Sequence, residues 1–207
     1  MPENLHKLFV ISSPSGGGKT SLINKVFEDS RSANFEKSIS DTSRRKRQGD
    51  LEGKDYYFLS EKDFKEKIKK EEYVEYATVF GNFYGTSKNE IKTKYNNSNL
   101  VLELDWQGAY AVKKLFDDAK LIFLVPPSLD DLKQRLIKRN LDSSESIENR
   151  LSEAKKEISK SEMYDFLVLN DDFDRAFEDL SQILFKGISP EDFNSRVSKD
   201  LIERLVE

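Results

Sequence analysis

A glycine-rich segment that ends in lysine and threonine has the residue types needed to bind the phosphates of a nucleotide. The segment SPSGGGKTS follows an apolar stretch at residues 8–11 and precedes a helix-like pattern of apolar residues. In such a strand–loop–helix unit, backbone N–H groups and the helix dipole favour an anion at the start of the helix. Lys19 would reach the β- and γ-phosphates, and the Thr20 hydroxyl would bind Mg²⁺. The predicted triphosphate-binding residues are Ser13, Pro14, Ser15, Gly16, Gly17, Gly18, Lys19, Thr20 and Ser21.

This segment departs from the usual phosphate-loop spacing, G-x-x-x-x-G-K-[ST], at one position. Ser13 stands where the first glycine of that pattern is expected. The three consecutive glycines that follow still allow positive φ angles and a close approach of the backbone to a ligand. The alternative interpretation is a glycine-rich turn between two core elements, but such a turn has no need of a lysine followed by a threonine.

Four consecutive basic residues, from Arg44 to Arg47, allow three interpretations. They could form a nucleic-acid or nuclear-localisation patch, a solvated loop, or a clamp for a second phosphate. We favour the clamp, because the guanidinium groups of Arg44 and Arg47 can bind phosphate oxygens bidentately. Two phosphate sites in one chain suggest a donor and an acceptor nucleotide. Neutral hydroxyl donors that could assist are Ser40, Thr42, Tyr56 and Tyr84.

Two carboxylates stand at the end of the apolar stretch LVLELD, which predicts a buried strand of a parallel sheet. Ligands of open α/β sheets bind at the carboxyl ends of such strands. Glu103 and Asp105 are two residues apart, and residues two apart in a strand point to the same face. We therefore expect both carboxylates to face one site.

Three arginines are candidates for a further cationic group. Arg135 and Arg139 lie four residues apart in a predicted helix, which places them on one face, and Arg150 follows a polar loop. The same spacing is typical of a solvated helix face. Spacing alone leaves both interpretations open.

The elements that must position these residues alternate along the chain between apolar strands and helical patterns. This alternation predicts an α/β fold with a parallel sheet flanked by helices. A strand-rich section at residues 36–90 and a polar loop at residues 140–146 interrupt it. The C-terminal piece, residues 189–207, predicts an amphipathic helix that docks on the core or on a second subunit. Its apolar residues at helical spacing are Phe193, Val197, Leu201 and Leu205.

Composition limits the possible classes of protein. With 207 residues, the chain can form one sizeable core but not two large domains. The 34 Lys and Arg residues against 38 Asp and Glu give a net charge of −4, so any anion site must be local. The absence of cysteine excludes disulfides and thiolate metal sites. Since there is no bilayer-length apolar run and no signal pattern, we expect a soluble, cytoplasmic protein.

Taken together and in order, the motifs resemble those of the guanylate kinase family over nearly all of residues 7–186. The resemblance implies a P-loop core at residues 1–35, 91–127 and 156–207, a GMP-binding domain at 36–90 and a mobile helical lid at 128–155. It also implies Mg²⁺-dependent phosphoryl transfer from ATP to GMP and to dGMP. No nucleic-acid or membrane partner is expected, and a monomer and a homo-oligomer both remain open. The matching segments are SPSGGGKTS, SDTSRRKRQGDLEGKDYYF, VEYATVFGNFYGTS, LELDWQG, PPSLDDLKQRL, SIENRL and LVLNDD.

The resemblance also implies a role for each candidate residue. The residues implied to bind GMP are Ser40, Arg44, Arg47, Tyr56, Glu75, Tyr84, Thr86 and Asp105. Beyond the phosphate loop, the residues implied to bind ATP are Arg135, Arg139 and Asn170, the last near the base. The residues implied to act in catalysis are Lys19, Arg44, Arg135, Arg139 and Arg150. The metal would be held by Thr20 and, through water, by Glu103, although the family usually has aspartate at that second position.

The chemistry of guanine independently supports a role for Glu75 and Thr86. Guanine presents N1–H and N2–H₂ donors beside the O6 acceptor, so a carboxylate and a hydroxyl can satisfy all three groups. Adenine has an acceptor at N1 and a donor at N6, and such mismatches of buried polar groups discriminate by up to roughly 10⁴- to 10⁵-fold. The alternative interpretation of Glu75 is a polar residue on the solvent face of a strand.

Two other functions are consistent with parts of this pattern. A guanylate-kinase-like interaction module would use the acceptor cleft to bind phosphorylated peptides, but it would not need Lys19, Thr20, Arg135 and Arg139. A related kinase could act on another phosphorylated acceptor, such as a ribose bisphosphate. Glu75 and Thr86 argue against that acceptor.

Overall fold

A computed structural model describes residues 6–47, 49–79, 81–138 and 144–207. Arg139, predicted above as a catalytic and ATP-binding residue, lies outside these residues. The strands are β1 (Leu8–Ser12), β2 (Phe35–Lys37), β3 (Asp41–Thr42), β4 (Tyr57–Phe58), β5 (Tyr73–Val79), β6 (Asn82–Ser87), β7 (Asn99–Glu103), β8 (Lys120–Val125) and β9 (Phe166–Leu169). The α-helices are α1 (Lys19–Glu28), α2 (Glu61–Lys69), α3 (Lys88–Tyr95), α4 (Trp106–Leu115), α5 (Leu129–Lys138), α6 (Ser144–Ile158), α7 (Phe173–Ser181) and α8 (Lys199–Val206). Among the described residues, none of the helices combines the length and the hydrophobicity that a membrane-spanning helix requires.

A five-stranded parallel sheet forms the centre of the fold, in the order β2-β7-β1-β8-β9. Its strands are buried on both faces: Leu8 and Val10 of β1 belong to one apolar cluster, and Phe9 and Ile11 belong to another. Helices α3, α4 and α6 pack on the first face, while α1 and α7 pack on the second. This arrangement confirms the predicted α/β fold with a parallel sheet flanked by helices.

A smaller sheet, in the order β4-β3-β6-β5, forms within the strand-rich section predicted at residues 36–90. Strands β5 and β6 are an antiparallel pair, and β3 joins β6 to β4. The helices that flank this sheet begin at serine caps, because the Ser60 hydroxyl accepts a hydrogen bond from the Asp63 amide and the Ser87 hydroxyl accepts one from the Glu90 amide. The Ser60 cap begins the helix between β4 and β5, and the Ser87 cap begins the helix through which the chain returns from β6 to β7 of the central sheet.

The boundary between β7 and α4 corrects one prediction. Strand β7 ends at Glu103, and Asp105 lies outside it as the N-cap of α4. The Asp105 carboxylate accepts a hydrogen bond from the Gly108 amide at 2.8 Å. The expectation that Glu103 and Asp105 share one face of a strand is therefore wrong. The apolar character of Leu104 extended the predicted strand past the point where the cap of the helix ends it.

The C-terminal piece also differs from its prediction, since only α8 is helical within residues 189–207. Phe193 packs edge-on against Phe166 in the apolar cluster on one face of the central sheet. Val197 and Leu205 pack in the cluster on the opposite face. A single helix would place residues four apart on the same side, so this segment instead passes irregularly around the edge strand β9. It docks on the core of its own chain.

Candidate active site

The glycine-rich segment forms the loop between β1 and α1, as the sequence predicted. Gly16 and Gly18 have φ angles of 85° and 89°, in the left-handed region that favours glycine. A Cβ atom at Gly18 would lie 2.5 Å from Nδ2 of Asn170. Because α1 begins at Lys19, its unpaired N-terminal amides lie at this loop, where an anion would satisfy them.

Lys19 extends from the start of α1 toward the end of β7. Its ammonium group donates a hydrogen bond to the Leu104 carbonyl at 3.0 Å. Burial lowers the pKa of Lys19, although the carboxylates of Glu103, Glu157 and Asp105 act in the opposite direction. A negatively charged phosphate would restore the stabilisation that this ammonium loses on leaving water.

Glu103 links Lys19's neighbour Thr20 to β2. The Thr20 hydroxyl donates a hydrogen bond to the Glu103 carboxylate at 2.5 Å, and the Lys37 ammonium binds its other oxygen at 2.8 Å. Burial raises the pKa of Glu103, but the positive charges of Lys19 and Lys37 and these hydrogen bonds outweigh it, so the pKa lies below its usual range. Glu103 is therefore held as a carboxylate beside the hydroxyl predicted to bind the metal.

The turn after β9 connects α5 to the phosphate loop. Asn170 is buried, and its side-chain amide donates a hydrogen bond to the Gly17 carbonyl at 2.6 Å. The Arg135 guanidinium donates one to the Asn170 carbonyl at 2.9 Å. From α6, the Arg150 guanidinium lies 3.4 Å from the Ser15 hydroxyl. Thus the structure brings Arg135, Arg150 and Asn170 to the loop.

Arg44 lies among the aromatic residues of the small sheet. Its guanidinium binds the Asp50 carboxylate at 2.9 Å and lies over the Tyr56 ring, 5.4 Å from the ring centre. The Tyr56 and Tyr84 rings meet edge to face with centres 5.8 Å apart. The backbone amide of Arg47 donates to the same oxygen of Asp50 at 2.7 Å, while the Arg47 side chain is exposed. The structure therefore brings Arg44, Tyr56 and Tyr84 together, and Arg47 is linked to them through the contact of its backbone amide with Asp50.

Glu75 and Thr86 are cross-strand partners on β5 and β6, and the Thr86 side chain hydrogen-bonds the Glu75 carboxylate. Thr86 is buried, and its hydroxyl lies 3.5 Å from that of Ser40. Burial raises the pKa of Glu75, the Thr86 hydrogen bond opposes that rise, and the charge of Asp105 adds to it. Glu75 is therefore not on the solvent face of its strand. A Cβ atom at Gly108 would lie 3.1 Å from the Glu75 side chain, which puts this carboxylate at the start of α4.

A cleft of about 290 Å³ is lined by residues of both the phosphate loop and the small sheet. On one side lie Lys19 and Thr20 of the phosphate loop, and on the other lie Ser40 and Tyr56 of the small sheet. Two anions bound on opposite sides of this cleft would be close to one another. The residues that line it are Lys19, Thr20, Lys37, Ser38, Ser40, Lys54, Asp55, Tyr56 and Glu103.

Three charged residues that contact predicted site residues or act on their charge were not identified from the sequence. Lys37 on β2 forms an ion pair with Glu103 on β7, and Asp50 forms an ion pair with Arg44. The negative charge of Glu157 on α6 acts to raise the pKa of Lys19. Burial raises the pKa of Glu157 to about 7. Only Asp50 carries a local signal, since it follows Arg47 closely in the basic loop. The other two depend on contacts between segments distant in the chain.

Comparison with known proteins assigns this arrangement to one family. The family model described as guanylate kinase matches residues 5–187. A guanylate kinase of Wolbachia sp. subsp. Brugia malayi is 44% identical over 186 residues, which cover 89% of this chain and 94% of that protein. A guanylate kinase of Hahella chejuensis is 46% identical over 178 residues, which cover 86% and 85% of the two chains.

A solved structure gives the same result at the level of the fold. The crystal structure of guanylate kinase from Anaplasma phagocytophilum superimposes with a TM-score of 0.70 and 32% sequence identity. The match covers 98% of this chain and 95% of that one. It therefore includes the central sheet, the small sheet and the C-terminal segment.

Proposed function

The chain belongs to the guanylate kinase family and is a nucleoside monophosphate kinase, and from this premise we propose how its residues bind ATP and GMP. In the reaction, an oxygen of the GMP phosphate forms a bond to the γ-phosphorus of ATP. The bond from that phosphorus to the β–γ bridging oxygen breaks, which yields GDP and ADP. We propose dGMP as a second acceptor. The observation that carries the assignment is the cleft with Lys19 and Thr20 on one side and Ser40 and Tyr56 on the other.

The donor triphosphate is proposed to bind the loop between β1 and α1. The loop amides and Lys19 would bind its phosphates, and Arg135 and Arg150 would contribute positive charge from α5 and α6. Supporting contacts are those of Arg135 with the Asn170 turn and of Arg150 with Ser15. Positioning and charge stabilisation supply most of the acceleration in phosphoryl transfer. Arg139 stays a prediction for the same role.

The phosphate of GMP is proposed to bind Arg44, Arg47, Tyr56 and Tyr84. Asp50 supports this role, because its carboxylate fixes the Arg44 guanidinium over the Tyr56 ring. A planar guanidinium held by one anion keeps donors for a second. The acceptor oxygen would then face the donor phosphates across the cleft.

The guanine base is proposed to bind Glu75 and Thr86, with the Ser40 hydroxyl beside Thr86 and Asp105 near the acceptor nucleotide. Partial burial and the hydrogen bond between Glu75 and Thr86 support this role, since a buried carboxylate needs donors and guanine supplies two. Asp105 uses one oxygen to cap α4, which leaves its second oxygen for the nucleotide.

Mg²⁺ is proposed as the cofactor, with Thr20 and, through water, Glu103 as the residues that would hold it. Magnesium usually takes only one or two protein oxygens and several waters in sites with substrate phosphates. The paired Thr20 hydroxyl and Glu103 carboxylate fit that preference. No group of three or more acidic or histidine ligands occurs within the described ranges. When bound, the ion would neutralise charge on the phosphates.

We propose that the chain divides as its family resemblance implies, into a core (residues 1–35, 91–127 and 156–207), a GMP-binding domain (36–90) and a lid (128–155). The lid would carry Arg135 and Arg150 over the donor phosphates. Assembly of the site only when both nucleotides are bound would limit hydrolysis of ATP by water.

The test is a coupled assay of ADP release with MgATP and a panel of monophosphates. We expect release with GMP and dGMP and at least about 10³-fold lower kcat/KM with AMP, CMP and UMP. A chain that binds GMP but releases no ADP would instead be a binding module. Turnover of AMP at a rate like that of GMP would contradict the assignment of Glu75 and Thr86.

A further inference from the structure

The segment after residue 187 lies beyond the matched family model, yet it contacts the turn that carries Asn170. We propose, on the basis of the donor site assigned in the proposed function, that Arg196 is a positioning residue for ATP. Arg196 would fix the turn at residues 169–171. Asn170 in this turn contacts both Arg135 and the phosphate loop.

Arg196 binds three acceptors on one side of this turn. Its guanidinium lies 2.7 Å from the Asp171 carboxylate, 2.9 Å from the Leu169 carbonyl and 3.1 Å from the Asp179 carboxylate. A planar guanidinium can serve all three because its five N–H groups point in fixed directions. Without it, the Asp171 carboxylate, the Asp179 carboxylate and the Leu169 carbonyl would lose the positively charged group that holds them together.

The opposite side of the same turn belongs to the donor site. The Asn170 side-chain amide donates to the Gly17 carbonyl at 2.6 Å, and the Asn170 backbone carbonyl accepts from the Arg135 guanidinium at 2.9 Å. Asn170 is also packed so closely on Gly18 that a Cβ atom there would lie 2.5 Å from it. A shift of Asn170 therefore displaces both the loop and an arginine proposed to act on ATP, and shifts near 1 Å can cost up to about 10²-fold in rate.

A purely structural role is the competing explanation. Strand β9 is the edge of the central sheet, and its outward carbonyls accept hydrogen bonds from the C-terminal segment: Ser195 donates to Leu167 at 2.6 Å, and Arg196 donates to Leu169. Covering a sheet edge stabilises the fold without reference to any ligand. The two roles differ in what they predict for ATP and GMP separately.

The experiment compares Arg196→Gln, Arg196→Lys and the matched control Arg204→Gln, an exposed arginine on α8. We expect Arg196→Gln to raise KM for ATP by about tenfold while KM for GMP stays within about twofold. Arg196→Lys, which keeps the charge but not the planar geometry, should give an intermediate KM for ATP. Arg204→Gln should resemble the parent chain.

Asp171→Asn tests the same contact if Arg196→Gln does not fold, and it should raise KM for ATP in the same direction by a smaller factor. Calorimetric titration with MgATP alone separates this inference from the proposed function, because it needs no turnover of GMP. We expect about tenfold weaker ATP binding in Arg196→Gln. A lower unfolding midpoint with unchanged ATP binding, or equal increases in both KM values, would overturn the positioning role. A parent chain that binds ATP but does not release ADP with GMP would contradict the proposed function alone.

Discussion

Replacing Glu75 by glutamine tests the proposed recognition of guanine with little change in shape. Glu75 is partly buried between β5 and α4 and hydrogen-bonded to Thr86. In the proposed complex, its carboxylate accepts from N1–H and N2–H₂ of guanine. Glutamine keeps one acceptor but turns an N–H₂ group toward a guanine donor.

The expected loss follows from these contacts. A hydrogen bond to a charged group contributes about 1.5–3 kcal/mol, and a buried donor left unpaired costs about 1–3 kcal/mol. Their sum, about 2.5–6 kcal/mol, corresponds to a decrease of about 10²- to 10⁴-fold in kcat/KM for GMP. AMP should not lose activity in the same variant, because the glutamine N–H₂ group can donate to adenine N1. The discrimination between GMP and AMP should therefore shrink.

The assay is coupled ADP release with MgATP, measured against GMP and AMP in the parent chain, Glu75→Gln and the exposed control Glu66→Gln. The pH dependence provides a second readout. Burial raises the pKa of Glu75, so its carboxylate is protonated at a higher pH than that of an ordinary glutamate. As the pH is lowered, kcat/KM for GMP should therefore begin to fall at that higher pH. Glu75→Gln should lack this acidic decline. If kcat/KM for GMP is unchanged in Glu75→Gln, the carboxylate does not contact the base and the reasoning is refuted.

Three further predictions concern the acceptor phosphate, the buried charge near Lys19 and the phosphate loop. Arg44→Lys should raise KM for GMP by about tenfold and leave KM for ATP within about twofold, because lysine cannot bind phosphate bidentately beside Asp50. Steady-state kinetics measure both values, and equal increases in KM for GMP and KM for ATP would contradict this prediction. Burial raises the pKa of Glu157 to about 7, so the parent chain should lose up to about 3 kcal/mol of stability relative to Glu157→Gln as pH rises from 4.5 to 7. Urea unfolding of the parent chain and of Glu157→Gln at pH 5 and pH 8 measures this difference. An equal change in the free energy of unfolding of both proteins between the two pH values would argue against it. Gly18→Ala should lower kcat/KM for ATP at least about tenfold, since φ is 89° and the new Cβ would meet Asn170; parent-like ATP kinetics would show that the loop tolerates a side chain.

Much of the fold could be predicted because its signals are local. The GGGKT segment lies between an apolar stretch and a helical pattern, and the structure has β1 and α1 there. Ser60 and Ser87 are the N-caps of α2 and α3. Such caps are local signals, because a serine side chain accepts a hydrogen bond from a free amide at the start of the same helix.

Other features depend on which segments meet in the folded chain. The apolar spacing of residues 193–205 predicted one long helix, but Phe193 and Val197 pack on opposite faces of the central sheet. Lys37 pairs with Glu103 because β2 lies beside β7, an order that the sequence does not state. Periodicity reports which residues are buried and not which face of the sheet buries them.

The central claim is that ATP and GMP bind on opposite sides of one cleft with their phosphates in line. A crystal structure with ADP and GMP bound tests it most directly. The account predicts the ADP β-phosphate on the amides around Lys19, the GMP phosphate on Arg44 and Tyr56, and guanine on Glu75. A GMP molecule whose phosphate lies away from Arg44, or whose base does not meet the Glu75 carboxylate, would contradict it.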